Sequence, residues 1–466
     1  MSPGDIDAGA EMCAPTNESA PRLQGQLGWW YLYAMAFHSI IGPYLVMSGF
    51  WYSVGGPSIA LAFLVTGIIC IPIGLCYGEM TAMFPKVGGS FMYVYKDFGR
   101  EASFWVAWAL LLAYLSLMAF MTNAFASIME YFFLPNYDLT STIIFSLIIL
   151  FAVFALMTRS INIGARVNFA IWSFGMFASI TWIVLMVSSA GWNAGNWQPF
   201  FPYGSSGFIT GFALMITMYF GFELIPQFAE ECNYPHEKHW NIMTAAIISA
   251  MALYIAVVLT ENGFMYQIWT VHPNFIAAII AQQAYGDWLA LLIGVGNIAI
   301  LMGCIIGFWL GSARVMYAMS RDKVFPTVFL RLNKRNQPWV ANILIMLVAI
   351  FFILNAGSNW IVDLYTMMAI GIAIAYTATC MAFVRLRYTI PDHPRPWRTP
   401  GGVVTGVVAS MLGLVIIYYV FYFFAISTWT LFTLYFVIGF VVRLILFWDE
   451  RRHPEQFVKE AIADKI

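Results

Sequence analysis

Along most of the chain, apolar residues run in long blocks broken by short polar stretches. Twelve such blocks stand at 27–50, 56–78, 101–131, 140–157, 165–189, 208–230, 241–262, 287–319, 338–355, 360–384, 403–424 and 427–447. A helix of about 20 apolar residues crosses the hydrocarbon core of a bilayer. An open sheet would leave backbone groups unpaired in lipid, and evenly apolar blocks of this length do not suit the alternating strands of a barrel. The pattern predicts an all-α membrane protein with 12 transmembrane helices.

Two blocks are interrupted. The first reads AMAFHSIIGPYLVMSGF, with Gly42-Pro43 near its middle and His38 one turn earlier. The sixth reads ALMITMYFGFELIPQFAEE, with Gly221, Glu223 and Pro226. The interruptions hold equivalent places five spans apart, which is the pattern of a transporter built from two inverted repeats around a midplane site. Five is odd, so the repeats insert with opposite orientation. The expected organisation is a tail over 1–26, a first repeat over 27–190, a second over 208–386, two further spans over 402–448 and a tail over 449–466. At each break, free N–H groups at the start of one half-helix favour a carboxylate, and free carbonyls at the end of the other favour an ammonium. A zwitterion fits between them.

Composition agrees with lipid as the solvent. The chain is 61% hydrophobic and only 10% charged, against about a quarter charged in soluble domains. Charge placement adds orientation. All 22 lysines and arginines fall on the side of the termini if twelve spans are counted, and the loops 190–207 and 261–286 hold none. By the positive-inside rule both ends are cytoplasmic, in a multi-pass protein of the cell membrane. The first 26 residues lack a basic segment followed by a short apolar core, so no cleavable signal peptide is expected. The cysteines form no CxxC pair, and no His/Cys cluster stands out; neither a structural disulfide nor a metal site is expected.

Candidate chemistry gathers at the breaks. Glu223 is a carboxylate at mid-membrane, where an ionisable group is functional by default. It is read as a proton-coupling or substrate-contacting group, or as a cap on the following half-helix. His38 is read as a second proton-coupling residue. The substrate-binding set is Ile41, Gly42, Pro43, Tyr44, Tyr219, Phe220, Gly221, Phe222 and Glu223, with the aromatics able to close a pocket. Asp363, at the start of span 10, reads as a solvated interfacial carboxylate, and Glu230 and Glu231 as solvated or ion-paired. No lysine or arginine lies near the predicted midplane, which favours zwitterions and cations over net anions. No GxxxxGK phosphate loop, catalytic cluster or GxSxG is present, so neither ATP-driven transport nor an enzyme is indicated. No catalytic residue, cofactor, metal or nucleic acid is expected. The expected partners are a small-molecule substrate, the lipid bilayer and a coupling proton.

Four stretches, in order, carry a resemblance. They are YGEMTAMFPKVGGSFMYVYKDFG at 77–99, NIGARVN at 162–168, GFELIPQFAEECNYP at 221–235 and GSARVMYAMSRDKVFP at 311–326. Together they resemble the amino acid–polyamine–organocation (APC) transporter superfamily over spans 1–10. The resemblance implies a LeuT-type fold, a 5+5 inverted repeat with broken helices 1 and 6, and amino acid or amine transport by proton-coupled symport or exchange. It implies substrate contacts at Ile41–Leu45 and Tyr219–Glu223. Two departures matter. Gly42-Pro43-Tyr44 replaces the glycine-rich break common in members that bind an α-carboxylate. Some proton-coupled relatives carry a lysine in span 5, near Gly175 here, and this span has none. The leading expectation is a transporter of a zwitterionic amino acid; a carrier or antiporter of amines or polyamines is the alternative, and a membrane sensor on a transporter-like fold is remote.

Overall fold

A computed structural model describes residues 23, 27–42, 44–133, 138–264, 266–271, 275–355, 360–422 and 425–452. The chain folds into fifteen α-helices with short 3-10 segments between some of them; the only β pairing among the described residues is two isolated bridges. The helices are α1 (Trp29–Ile40), α2 (Tyr44–Gly55), α3 (Ile59–Met83), α4 (Ser90–Phe133), α5 (Leu139–Met157), α6 (Ile161–Ser188), α7 (Gly204–Met215) and α8 (His239–Phe264). They continue as α9 (Ile268–Val271), α10 (Ile276–Tyr285), α11 (Asp287–Arg321), α12 (Trp339–Asn355), α13 (Trp360–Thr389), α14 (Val403–Tyr422) and α15 (Ile426–Arg452).

Among the described residues, ten helical segments are long and apolar enough to cross a membrane. Two expected spans are not separate members of that set: 27–50, whose second half runs into the segment Tyr44–Met83, and 338–355. The first is split into α1 and α2, each of 12 residues, and α12 has 17. The expected breaks are present. Helix α1 stops at Ile40, and α2 restarts at Tyr44. Helix α7 stops at Met215, a 3-10 turn covers Ile216–Tyr219, and Phe220 is extended. The segment after this second break differs from the expected α-helix: Phe222–Glu231 is wound as 3-10. Pro226 within it lacks the N–H that an i→i−4 ladder would use, and 3-10 runs of this length are uncommon.

Layering follows from which faces are covered. The apolar window of α4 is 94% buried inside the protein, that of α15 only 17%. Helices α4, α11 and α13 therefore form the middle of the bundle, and α4 packs closely with both partners. Helices α14 and α15 present Met411, Tyr418, Val441 and Ile445 outward, as a lipid-facing layer requires. Gly99 (φ 80°) divides α4 into a short segment that follows the Gly88-Gly89 turn and the long central helix. Asp363 is not solvated as expected. It is 4% exposed and accepts hydrogen bonds from the hydroxyls of Ser427 and Thr428, both at 2.7 Å, so the carboxylate pins α13 to the start of α15.

Candidate functional site

The two breaks touch. Gly221 has φ 129°, a conformation open to glycine and strained for other residues. A Cβ there would lie 2.6 Å from the Ser39 carbonyl carbon and 2.8 Å from the Ile40 nitrogen. The backbone of the second break therefore rests directly on the last turn of α1. Tyr254 of α8 joins them: its hydroxyl donates to the Ile40 carbonyl at 2.7 Å and lies 3.3 Å from the Met218 carbonyl. Both carbonyls lie at helix ends, and that of Ile40 also accepts the Gly42 N–H at 2.8 Å.

Beside this contact lies a cavity of about 20 Å3. It is lined by Ser39, Ile40 and Gly42 from the first break and by Thr217, Met218 and Phe220 from the second. Leu117, Phe120 and Met121 of α4 and Tyr365 and Met368 of α13 complete it. The volume suits about one water, so the bundle is closed around its centre. None of the lining residues carries a charge. Three are methionines, whose unbranched side chains repack readily.

The expected substrate residues divide. Gly42 and Phe220 line the cavity. Ile41, Tyr44, Tyr219, Gly221, Phe222 and Glu223 are buried around it without lining it, and Pro43 lies outside the described residues. Tyr44 reaches α6, where its hydroxyl lies 2.7 Å from Ser179 Oγ. Its bulk is thus directed into a helix contact. The Tyr219 hydroxyl donates to the Phe63 carbonyl at 2.6 Å, anchoring the second break to α3.

Glu223 is fully buried. Its Oε2 accepts from the Gly221 N–H at 2.7 Å and from the Tyr376 hydroxyl at 2.6 Å. The Tyr376 ring stacks on Phe222 (5.2 Å between centroids) and meets Phe220 edge-on (5.6 Å). Tyr376 thus links Glu223 to Phe220 of the cavity wall. His38 is also fully buried, on the far side of α1. Its Nδ1 lies 3.3 Å from Asn168 Oδ1, and a Cβ on Gly303 would come within 1.8 Å of the same nitrogen. Asn168 in turn donates to the Gly303 carbonyl at 2.9 Å. His38 therefore belongs to the packing of α1 against α6 and α11, away from the cavity. Gly175 faces α11 as well, where a Cβ would meet Ile300 at 2.7 Å, so this position has no room for a longer side chain without repacking.

Comparison with known proteins decides the family. The model of the family described as amino acid permease matches residues 27–447. The chain belongs to the amino acid permease family. This agrees with the APC resemblance, and the names of its relatives are those of transporters. A branched-chain amino acid permease of Bacillus subtilis is 25% identical over 458 residues, 93% of this chain and 94% of its own length. A methylthioribose transporter of the same organism is 25% identical, covering 85% of this chain and 87% of its own. Cationic amino acid transporter 4 of Mus musculus is 27% identical over 76% of this chain and 58% of its own length.

Within this permease, several polar residues at the site were not visible in sequence. Tyr254, Tyr365 and Tyr376 are three of 24 tyrosines, and nothing in their apolar surroundings marks them. A buried tyrosine needs a partner for its hydroxyl, but the partner is set by packing. Glu261, near the end of α8, is a fully buried carboxylate that accepts from Tyr52 at 2.6 Å. It was not among the residues singled out from the sequence. The expectation of no His/Cys cluster is corrected: Cys232, His236 and His239 converge, because a 3-10 turn over His236–Lys238 leads straight into α8. The pairs at Glu230 and Glu231 are ionic, as one of the two readings had it: Glu231 holds Arg314, and Glu230 holds Arg321.

Proposed function

We propose that this permease moves a zwitterionic amino acid across the membrane by alternating access, as a proton-coupled symporter or an exchanger. The proposed site is the closed cavity between the two breaks. Substrate would enter when the bundle carrying the breaks rocks away from α4 and α13, and the cavity would expand as Met121, Met218 and Met368 change rotamer. In this reading twelve spans are arranged as a 5+5 inverted repeat over 27–190 and 208–386, with both termini cytoplasmic.

The observation that carries the reading is the meeting of two interrupted helices around an uncharged cavity. An ammonium can replace the Tyr254 hydroxyl at the Ile40 and Met218 carbonyls. A carboxylate can take free N–H groups near the start of α2. The apolar lining favours a substrate with an apolar side chain, since a cationic one would sit against methionine and phenylalanine without a counter-ion. Relatives named for branched-chain and for cationic amino acids fit this family setting, and the lining favours the former class.

An amine remains the second reading, favoured by the Gly42-Pro43-Tyr44 break. The direction of Tyr44 into α6 weakens the steric part of that case. Uptake into proteoliposomes separates the readings. A panel of neutral and cationic amino acids, with their decarboxylated analogues, is offered with and without a pH gradient or internal substrate. Saturable uptake of neutral apolar amino acids supports the proposal. Uptake of the amines with no competition by the parent acids would replace it, and no flux of any panel member would overturn transport of this class.

A further inference from the structure

One cluster of side chains has no part in the transport site. It lies where the 3-10 segment Phe222–Glu231 turns into α8, at the end of the bundle where Leu27 enters. Cys232, His236 and His239 each offer one ligand atom, and these atoms lie within 4.8 Å of one another. Cys232 Sγ is 3.4 Å from His239 Nε2 and 3.9 Å from His236 Nδ1. Ligands at the usual zinc–sulfur and zinc–nitrogen distances on a tetrahedron stand about 3.6 Å apart. The two separations bracket that value, so three ligands can close on one ion with small side-chain shifts. The two imidazole rings are nearly perpendicular (82°), which lets both aim a nitrogen at a common point.

The surroundings hold these donors in place. The spacing is C-x3-H-x2-H across a turn that Pro235 stiffens. The Tyr234 ring lies parallel to the His239 ring at 5.9 Å, and its hydroxyl donates to Asn241 Oδ1 at 3.0 Å. Trp29 of α1 donates to the same oxygen at 3.3 Å. The backbone of Leu27 brackets Cys232: Leu27 N–H donates to the Glu231 carbonyl at 3.0 Å, and Asn233 N–H donates to the Leu27 carbonyl at 3.1 Å. The cluster therefore joins the start of α1, the end of the broken sixth span and the start of α8.

We propose that Cys232, His236 and His239 form a binding site for one zinc-class divalent metal ion. One thiolate and two imidazoles are the donor set such ions prefer, whereas calcium and magnesium call for oxygen. On binding, five of the six waters of the aqua ion leave, the Cys232 thiol releases its proton to solvent, and one water stays as the fourth ligand. The ion clamps the 231–239 turn. On the proposed alternating-access reading, the clamp also holds the Leu27 strap closed, so occupancy slows opening at this end.

The site is tested on purified full-length protein stripped with a chelator. Cobalt(II) is titrated first. The expected result is one equivalent bound, with a tetrahedral visible spectrum and a sulfur-to-cobalt charge-transfer band, both displaced by zinc(II). Cys232→Ser should remove the charge-transfer band. His236→Ala, at a half-buried position that the fold can spare, should weaken binding at least tenfold while the metal-free melting temperature stays near wild type. Absence of a cobalt spectrum and of any zinc-dependent melting shift overturns the site, as does a spectrum unchanged in Cys232→Ser. Inhibition of uptake by zinc, reversed by chelator and lost in Cys232→Ser, tests the clamp separately. Metal binding without inhibition rejects the clamp and leaves the site.

Discussion

The centre of the bundle and its Leu27 end are built in opposite ways. At the centre, two interrupted helices meet around a cavity whose lining carries no charge, and the contacts are glycine on backbone, methionine and phenylalanine. At the Leu27 end, charges are paired in several layers. Arg314 holds Glu231 through two hydrogen bonds (2.8 and 2.9 Å), with both side chains fully buried. Arg321 holds Glu230 at 2.7 Å, and the same carboxylate oxygen accepts the Val87 N–H at 3.0 Å. Glu79 takes Arg387, Arg395 and the Thr399 N–H. In the proposed reading, the uncharged contacts at the centre leave backbone groups that a substrate would take over. Directional, charge-assisted contacts at the end resist parting until something offsets them. The middle is suited to binding and the end to latching.

The sharpest way to break this contrast is Arg314→Ala. It leaves Glu231 buried without a partner, and losing one member of a buried pair costs about 3–5 kcal/mol. Unfolding in detergent should show that loss, larger than for any single truncation in the cavity lining. A loss as small as for a surface pair would mean the latch is solvated in practice. Gly221→Ala comes next. It puts a Cβ against the Ser39 and Ile40 backbone at a φ that costs about 1–3 kcal/mol for a non-glycine residue. Uptake should fall at least tenfold with the protein still inserted; normal uptake would show that the breaks need not touch.

Phe220→Ala removes an aromatic wall of the cavity and should raise the substrate concentration for half-maximal uptake about tenfold, with a smaller change in maximal rate. Glu223→Gln keeps an amide oxygen for the Gly221 N–H and Tyr376 hydroxyl, so counterflow should persist while the pH dependence of uptake is lost. Unchanged pH dependence would remove Glu223 from proton coupling and leave it the cap of the 3-10 segment. The smallest effect belongs to Tyr44→Phe, which removes the hydrogen bond to Ser179. It should cost about 1 kcal/mol of stability and leave half-saturation unchanged, because Tyr44 points away from the cavity. A large shift in half-saturation would bring Tyr44 back into the site.

The long apolar helices and both breaks were legible in sequence, because runs of apolar residues and the Gly42 and Gly221 interruptions are local signals; α9 and α10, inside the expected loop 261–286, were not. The 3-10 winding of Phe222–Glu231 was less so: Pro226 marks a disturbance without specifying its form. Among the candidate residues, Gly42 and Phe220 line the cavity, whereas Glu223 reaches its wall only through Tyr376 and His38 packs against α6 and α11. Depth in the membrane can be read from position in a block, but the direction of a side chain around the helix depends on neighbours distant in sequence. Tyr254 illustrates this. It donates to Ile40, 214 residues earlier, and nothing local foretells that bond. The Cys232, His236 and His239 cluster had a visible spacing, yet its convergence depends on the turn into α8.

The central claim is that substrate binds between the two breaks. It is tested most directly by equilibrium binding of the best transported amino acid to purified wild type and Phe220→Ala, with Trp309→Phe as a control for general damage in the core. Wild-type binding that weakens about tenfold in Phe220→Ala, and stays unchanged in Trp309→Phe, is the predicted result. Equal affinity in all three proteins, with Phe220→Ala folded, would contradict it and place the site elsewhere.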